Sequence, residues 1–563
     1  MGVVTTLLCA ALVASIGNEQ QLIEEQVDTH LSRMTVSEKV GQLIMIGFGG
    51  TKSNEEIRLW VGQRKVGGAV LFSRNIVDLA QTAKLTRDIA KLSLDLPPFI
   101  ALDQEGGNVV RVKDGATVLP GNMTLGATRS PMLSMVSGQS MGIDLRRLGF
   151  NMNLAPVLDI NSNPRNPVIG VRSFGEEAQL VGQLGAWFIR GQQEVGVSSV
   201  AKHFPGHGDT QSDSHFSMPA ISADEARLFE LELEPFVASI SAGVDAVMTA
   251  HIAIPKVLES PDLPATLSKK LLTDILRKRL GFEGVVITDG LEMQGIVKKF
   301  GSGEAAVRAI LAGADMAMIL WTKSKKEEVY QALLSAVRSG RLSVSRLDES
   351  VRRILRVKYR RGLFDSPETS LSTLMQDRNY NALHRRVSRE VARAGTTLVR
   401  NHGDMLPLRT HRYRKVVVMA PPGPLATRLA AEANIEVVKI PWRTSRSLRR
   451  KITEKLLRAA QGADALVFAV VNRSHVSVVQ NVLRRAPALP SAMVSLASPY
   501  FLEYVPQIDA YVCAYSYQPV AQEAVADGLL GKLPMKGRLP VTLPGYYEAG
   551  HRAKEGVTAA LHP

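Results

Sequence analysis

Short apolar runs recur along the first part of the chain, at 40–47, 67–72, 98–102, 152–158, 197–201, 245–250, 284–288 and 314–320. Each gives way to a polar or glycine-rich end and then to a segment long enough for a helix. Runs of this length, bounded by turn residues, predict buried strands, and strands alternating with helices predict a parallel sheet with right-handed crossovers. Eight such units predict a closed (β/α)8 barrel, with a doubly wound open sheet as the alternative. The polar ends discriminate between the two. Ser73, Arg74 and Asn75 follow the second run, Asp103 and Glu105 the third, and a stretch from Asp159 to Arg172 the fourth. A histidine-rich segment follows the fifth, His251 the sixth and Asp289 the seventh. In a barrel all these ends converge on one mouth, whereas an open sheet would spread them along an edge. The barrel is therefore the expected architecture.

A second grammar begins after a predicted helix over 343–361, with Ser343 as its cap, and a break at Gly362 to Pro367. A helical segment at 381–394 leads into strand candidates at 397–399, 415–419, 435–440, 465–471, 492–496 and 510–514. Helix-length spacers separate most of them, which predicts a smaller α/β sandwich. The segment 532–541 reads as a closing loop and strand, and His475 stands isolated. The expected organisation is a possible signal segment over 1–19, a catalytic barrel over 20–365 and a linker and helix over 366–395. The sandwich then takes 396–545, followed by a peripheral tail over 546–563.

Composition narrows the class. At 563 residues the chain exceeds one core, and 45% apolar with 21% charged residues is ordinary for a globular protein. The net charge of +15 comes with arginines crowded between Arg443 and Arg458 and between Arg409 and Lys415. A solvated basic face explains it most simply, with an anionic cell-wall polymer as the partner it would suit. No aromatics interleave with the arginines of 443–458 as a single-strand nucleic-acid binder would want. Two cysteines exclude a disulfide framework, and Cys513 fits a buried small hydrophobe. The apolar run 3–13 has the length of a signal-peptide core and is too short to span a bilayer. It lacks a basic leader, and Leu8 before Cys9 does not suit lipoprotein processing. An extracytoplasmic enzyme is expected, with a cytoplasmic one as the alternative.

The chemistry concentrates in 202–215, which holds His203, His207 and His215 with Asp209, Asp213 and Lys202. A helical metal pair of His203 and His207 is broken by Pro205 and Gly206, so no metal is expected, and no cofactor. Pro205, Gly206 and Gly208 place these polar groups on a loop. Asp213 and His215 are two residues apart and share a face on extended backbone, so the carboxylate can fix the imidazole tautomer and favour its cation. Asp289, at a strand tip before Gly290, suits a nucleophile and equally suits a helix N-cap; taken alone the residues leave both open. Asp103 poses the same choice, with acceptance from sugar hydroxyls as its functional reading, while Lys202 and Arg172 would add donors. Jointly they describe a retaining glycosidase, with Asp289 attacking the anomeric carbon and His215 as acid and then base. A histidine there avoids a second carboxylate whose repulsion would raise one pKa. A serine hydrolase fits poorly, since Ser214 lies between its supposed partners and no G-x-S-x-G elbow occurs. A catalytically silent glycan-binding barrel is the reading from another class.

These residues carry a family resemblance. Lys202-His203-Phe204-Pro205-Gly206-His207-Gly208-Asp209 with Asp213-Ser214-His215 resembles the signature of glycoside hydrolase family 3 β-N-acetylglucosaminidases. Asp103-Gln104-Glu105-Gly106-Gly107, Asn166-Pro167, Arg172-Ser173-Phe174 and Ile287-Thr288-Asp289-Gly290-Leu291-Glu292-Met293 extend it. In the second domain it continues through Ala497-Ser498-Pro499-Tyr500 and Gly537-Arg538-Leu539-Pro540-Val541. The resemblance implies the two-domain fold, an aspartate nucleophile at Asp289, an acid/base dyad at Asp213 and His215, and sugar contacts from Asp103, Arg172, Lys202 and His203. It implies action on terminal β-linked N-acetylglucosamine, often in muropeptides, with a β-glucosidase or a phosphorylase of the same family as alternatives. Asn108 stands where many members have arginine, and Arg111 is the candidate to serve instead; Gly290 is a second departure.

Overall fold

The computed structural model describes residues 18, 20–211, 218–293, 296, 299–365, 378–409 and 411–553. Eight strands close a parallel barrel in chain order: β1 Ile44–Gly47, β2 Gly68–Val70, β3 Phe99–Leu102, β4 Met152–Asn153, β5 Ser198–Phe204, β6 Ala246–Thr249, β7 Val285–Gly290 and β8 Met316–Ile319. Ile44 to Ile46 pair with Ala317 to Ile319, which joins β8 to β1 and leaves no open edge. Strand residues are buried on both faces, the usual state of a parallel sheet covered by helices and filled by its own side chains.

The eight predicted runs all contain a strand, but three differ instructively in extent. The first run divides between a helix, Val36–Gln42, and β1; the helix starts at a reciprocal cap in which Thr35 and Glu38 satisfy each other's backbone amides. β4 is cut to two residues because the Ala155 amide turns back to the Asn153 carbonyl at 2.8 Å, and Pro156 beyond it has no amide proton for the ladder. β5 runs beyond its apolar run through Lys202 to Phe204, so Lys202 and His203 belong to the strand and not to the loop expected from the sequence. The glycine and proline signals act only from Pro205 onward, where the loop begins.

The second domain is a six-stranded sheet in the order β11-β10-β12-β13-β14-β9. Its strands are β9 Thr397–Asn401, β10 Val416–Ala420, β11 Ile435–Lys439, β12 Ala465–Val470, β13 Ser491–Ser495 and β14 Ala510–Cys513. All neighbours are parallel except β9, which runs antiparallel to β14 at the edge. Helices cover both faces, and two apolar clusters fill the spaces between. Cys513 is buried among them, and His475 is a core residue whose ring bonds the Pro441 carbonyl at 2.9 Å.

Two expectations fail here. The segment 532–541 forms no strand, only one bridge between Lys536 and Thr397. Residues 543–553 are not peripheral: the Ala553 amide donates to the Leu398 carbonyl at 2.8 Å and His551 bonds the Val399 carbonyl at 2.9 Å. They cover β9, whose backbone would otherwise be an exposed edge.

The domains are joined through the helix Asn122–Thr128, which supplies Met123 and Ala127 to an apolar cluster of the second domain. Tyr500 receives a hydrogen bond from Asn161 at 2.8 Å, and Gln518 donates to the Gly107 carbonyl at 2.6 Å. No helix of the described residues is long and apolar enough to cross a membrane.

Candidate active site

The C-terminal ends of β3, β5 and β7 open onto one cavity of about 310 Å³, near the lower end of the ~300–1,000 Å³ range of ligand pockets. Asp103 follows β3 directly. Past it, Gly106 and Gly107 both take positive φ, 87° and 54°, turning the chain so that Val109 bridges back to Gly106 and Arg111 returns to Asp103. β-Carbons there would strain that turn.

The charged side chains form one alternating array. Arg111 reaches Asp103 at 3.3 Å, and Lys202 lies 3.0 Å from Asp103 and 2.8 Å from Glu105. Arg172 then grips Glu105 with two parallel hydrogen bonds, 2.9 and 2.8 Å long. Such bidentate pairing is strong and fixes geometry. Burial alone would raise the Glu105 pKa, but the Arg172 and Lys202 charges hold it well below the usual carboxylate range. Burial likewise works against the Lys202 cation, and Glu105 and Asp103 override it, so its pKa is raised. Both groups are therefore ionised at neutral pH, and the array is fixed before any ligand arrives.

A second network carries the start of the histidine loop. Asp159, fully buried after β4, accepts the His203 ring Nδ1–H at 2.7 Å and the backbone amides of His203 and His207 at 3.2 and 2.7 Å. Burial would raise the Asp159 pKa, and the two histidines lower it. Asn166 donates to the carbonyls of His207 and Gly208, both at 2.9 Å. Gly208 lies so close to the chain that a β-carbon would meet the Ile160 carbonyl oxygen at 1.6 Å. The His207 ring turns to Thr210 at 2.8 Å, and burial lowers its pKa. His203 and His207 thus each have a hydrogen-bond partner at Nδ1. Among the described residues no three His, Cys, Asp or Glu side chains converge as metal ligands would.

Asp289 faces the array from β7. The Gly290 amide donates to its Oδ1 at 2.7 Å, and the Gly290 carbonyl is held by the ring Nε2 of buried His251 at 3.1 Å. Asp289 is part of β7 and lines the cavity. Glu292 accepts the amides of Leu320, Trp321 and Thr322 at 2.7–2.8 Å, which sets Trp321 at the rim near Phe72, ring centres 6.3 Å apart. Met248, Met293, Met318 and Leu320 give the cavity an apolar side.

Of the residues singled out in the sequence, Asp103, Arg111, Arg172, Lys202, His203 and Asp289 line this one cavity. Asp213, Ser214 and His215 lie outside the described residues. Asn108 does not line it, and Arg111 does. Glu105, Asp159 and Trp321 were not marked as site residues. Glu105 lies two residues past Asp103 at the end of the third run, and Asp159 is the first polar residue after the fourth, which were the available signals; Trp321 has none short of the fold.

Residues 35–357 match the glycosyl hydrolase family 3 N-terminal domain. The chain is 36% identical over 417 residues to beta-hexosaminidase A of Pseudoalteromonas piscicida, covering 67% of this chain and 69% of that one. It is 30% identical over 556 residues to a beta-N-acetylglucosaminidase/beta-glucosidase of Cellulomonas fimi, covering 92% and 95%. The structure of a glycoside hydrolase family 3 beta-N-acetylglucosaminidase from Paenibacillus sp. str. FPU-7 is similar with a TM-score of 0.84 at 36% identity, covering 91% of this chain and 99% of that one. With the family domain matched over more than half its length and the two-domain architecture shared nearly end to end, this chain belongs to glycosyl hydrolase family 3.

Proposed function

We propose that this protein is a retaining exo-β-N-acetylglucosaminidase that releases terminal β-linked N-acetylglucosamine, with peptidoglycan fragments as its natural substrates. The observation that carries the reading is Asp289 facing, across one small cavity, the Asp103–Lys202–Glu105–Arg172 array. A sugar ring between them can be held through its hydroxyls while its anomeric carbon meets a carboxylate. The Gly290 N–H donates to Oδ1 of Asp289 and helps to orient the carboxylate that attacks. The carboxylate forms the glycosyl–enzyme ester as the bond to the leaving oxygen breaks. His215, oriented by Asp213, gives its proton to that oxygen, then takes one from the water that cleaves the ester, restoring both groups. Asp103 and Lys202 bind hydroxyls, with Arg111, Arg172 and His203 completing the grip. The cavity needs no group from the second domain for these steps. The reading includes work outside the cytoplasm, motivated by the apolar run 3–13 and checked by sequencing the N-terminus of the protein from its native host.

The deciding experiment combines turnover of an aryl β-N-acetylglucosaminide with trapping by a slow 5-fluoro analogue. The expected adduct sits on Asp289; an adduct on Asp103 or Glu105 overturns the assignment, and no turnover at all overturns the function.

A further inference from the structure

Asp289 sits on an irregularity of β7. Ile287 pairs with Met316 and Gly290 with Met318, so β7 holds one residue more than β8 over the same span. A bulge of this kind re-aims a side chain and takes backbone groups out of the ladder. Here the Met318 amide donates to the Thr288 hydroxyl at 3.0 Å in place of a strand carbonyl. The backbone after Asp289 is then a weak point. Glycine has the widest conformational freedom of any residue, and the Gly290 N–H is the donor that orients the Asp289 carboxylate, at 2.7 Å.

Two bonds remove that freedom. The Leu291 amide donates to the Met318 carbonyl at 2.9 Å, and the Gly290 carbonyl, on the other side of the same peptide, meets Nε2 of His251 at 3.1 Å. A carbonyl only accepts, so Nε2 carries a proton. His251 lies two residues past β6 and is fully buried, as are Thr249 and Thr266. The Thr266 hydroxyl stands 2.8 Å from its Nδ1, 2.9 Å from the Thr249 hydroxyl and 3.0 Å from the Ala250 carbonyl, which fixes the plane of the ring. His251 does not line the sugar cavity. It touches the chemistry through the Gly290 backbone.

We propose that His251 is a positioning residue for the attack: it pins the Gly290–Leu291 peptide and so holds the Asp289 carboxylate in line with the anomeric carbon. The proposal rests on the reading of Asp289 as the nucleophile. Reacting atoms must be held about 3–3.5 Å apart, and a displacement of about 1 Å costs about 10²-fold in rate. A glycine beside the nucleophile, held from β8 alone, would permit such a displacement, and the imidazole closes the other side from β6. A histidine that only satisfied a buried carbonyl would affect stability and nothing else. His475 is such a histidine in the second domain, its ring 2.9 Å from the Pro441 carbonyl.

The test follows labelling of Asp289 by the slow 5-fluoro analogue, which isolates the attack from the later hydrolysis. His251→Leu is expected to lower the maximal labelling rate by about 10²-fold, while the half-saturating concentration of the analogue stays within about twofold. His251→Gln, whose side-chain N–H still meets the Gly290 carbonyl, should recover most of the loss. Thr266→Val removes the hydroxyl that orients the ring and should slow labelling by about tenfold, so it carries the test if His251→Leu does not fold. His475→Leu should lower the melting temperature and leave the labelling rate unchanged. The inference is overturned if His251→Leu, or Thr266→Val in its place, is labelled at the wild-type rate. It is equally overturned if His251→Gln recovers nothing, or if His475→Leu slows labelling as much as His251→Leu does. A wild-type protein labelled on another residue, or not labelled at all, overturns the nucleophile reading and the role of His251 with it.

Discussion

Two of the buried lysines stand at opposite ends of the barrel and titrate in opposite directions. Lys202, at the mouth, is 2% exposed and sits between Glu105 and Asp103. Burial opposes its charge, and the two carboxylates more than compensate. Lys358, on the helix Val344–Arg360, is 0% exposed at the floor, where its Nζ donates to the neutral Gln42 amide at 2.6 Å and lies 5.1 Å from the Phe99 ring. Burial there pushes its pKa down to about 7. The floor also has a buried carboxylate, Asp315, but every approach to it is taken. Arg277, Arg353, the Ser350 hydroxyl and the Val286 amide all bond to it. At the mouth, Asp103 is 18% exposed and Asp289 faces a cavity. Buried charge therefore does not mark a site by itself. We propose the mouth as the site because its charges are compensated and still look onto space for a ligand, whereas the floor uses the same residue types as packing.

The largest effect that separates the ends is expected from Asp289→Ala. It should lower kcat/KM for an aryl β-N-acetylglucosaminide by about 10³–10⁵, about 4–7 kcal/mol of barrier, with the melting temperature almost unmoved. A variant that keeps a tenth of wild-type turnover would remove Asp289 from the chemistry.

Asp315→Ala should do the opposite. It leaves Arg277, Arg346 and Arg353 crowded without their shared carboxylate. Losing one partner of a buried pair costs about 3–5 kcal/mol, so denaturant midpoints should fall sharply while the folded fraction keeps its specific activity. If activity per folded molecule drops with stability, the floor is not a purely structural region.

Lys202→Met tests the mouth more gently. Glu105 keeps both hydrogen bonds from Arg172, and Asp103 keeps Arg111. We expect kcat/KM to fall by about 10²-fold, about 2.7 kcal/mol, with a smaller stability loss than Asp315→Ala. The reverse ranking of stabilities would contradict the contrast between an open array and a packed one.

The smallest effect comes from Lys358→Met, which should raise stability at pH 7 by about 1–3 kcal/mol by removing a poorly compensated buried ammonium. The sign follows from proton linkage. The folded pKa is near 7 and the unfolded one near ~10.4, so between them the unfolded chain holds a proton that the folded chain lacks. Wild-type stability gains from this residue as pH rises through that window, and the advantage of the variant should shrink toward pH 10. Lys202, whose folded pKa is raised, contributes fully below ~10.4 and loses its contribution only above it. Denaturation at pH 7, 8.5 and 10 therefore distinguishes the two lysines; an advantage of Lys358→Met that is constant with pH would show that its charge is not what matters.

The sequence by itself determined the alternation that closes the barrel, the six strands of the second domain, and six side chains that line the cavity. These are local properties: apolar runs bury as strands, and the polar residues at the strands' C-terminal ends gather at one end of a barrel. It did not determine where β5 ends, because Lys202 continues the strand only when Asp103 and Glu105 neutralise it, and Asp103 lies 99 positions away. Asp159 is legible in the sequence only as the first polar residue after the fourth run; its hold on the loop appears when the chain brings His203 and His207 against it, 44 and 48 positions on. Nor did the sequence mark the tail as the cover of β9, or the contact between the domains that Gln518 makes with the Gly107 carbonyl across 411 positions. Side-chain pattern is written residue by residue, whereas compensation of charge and the shape of a cavity arise only when distant segments share one space.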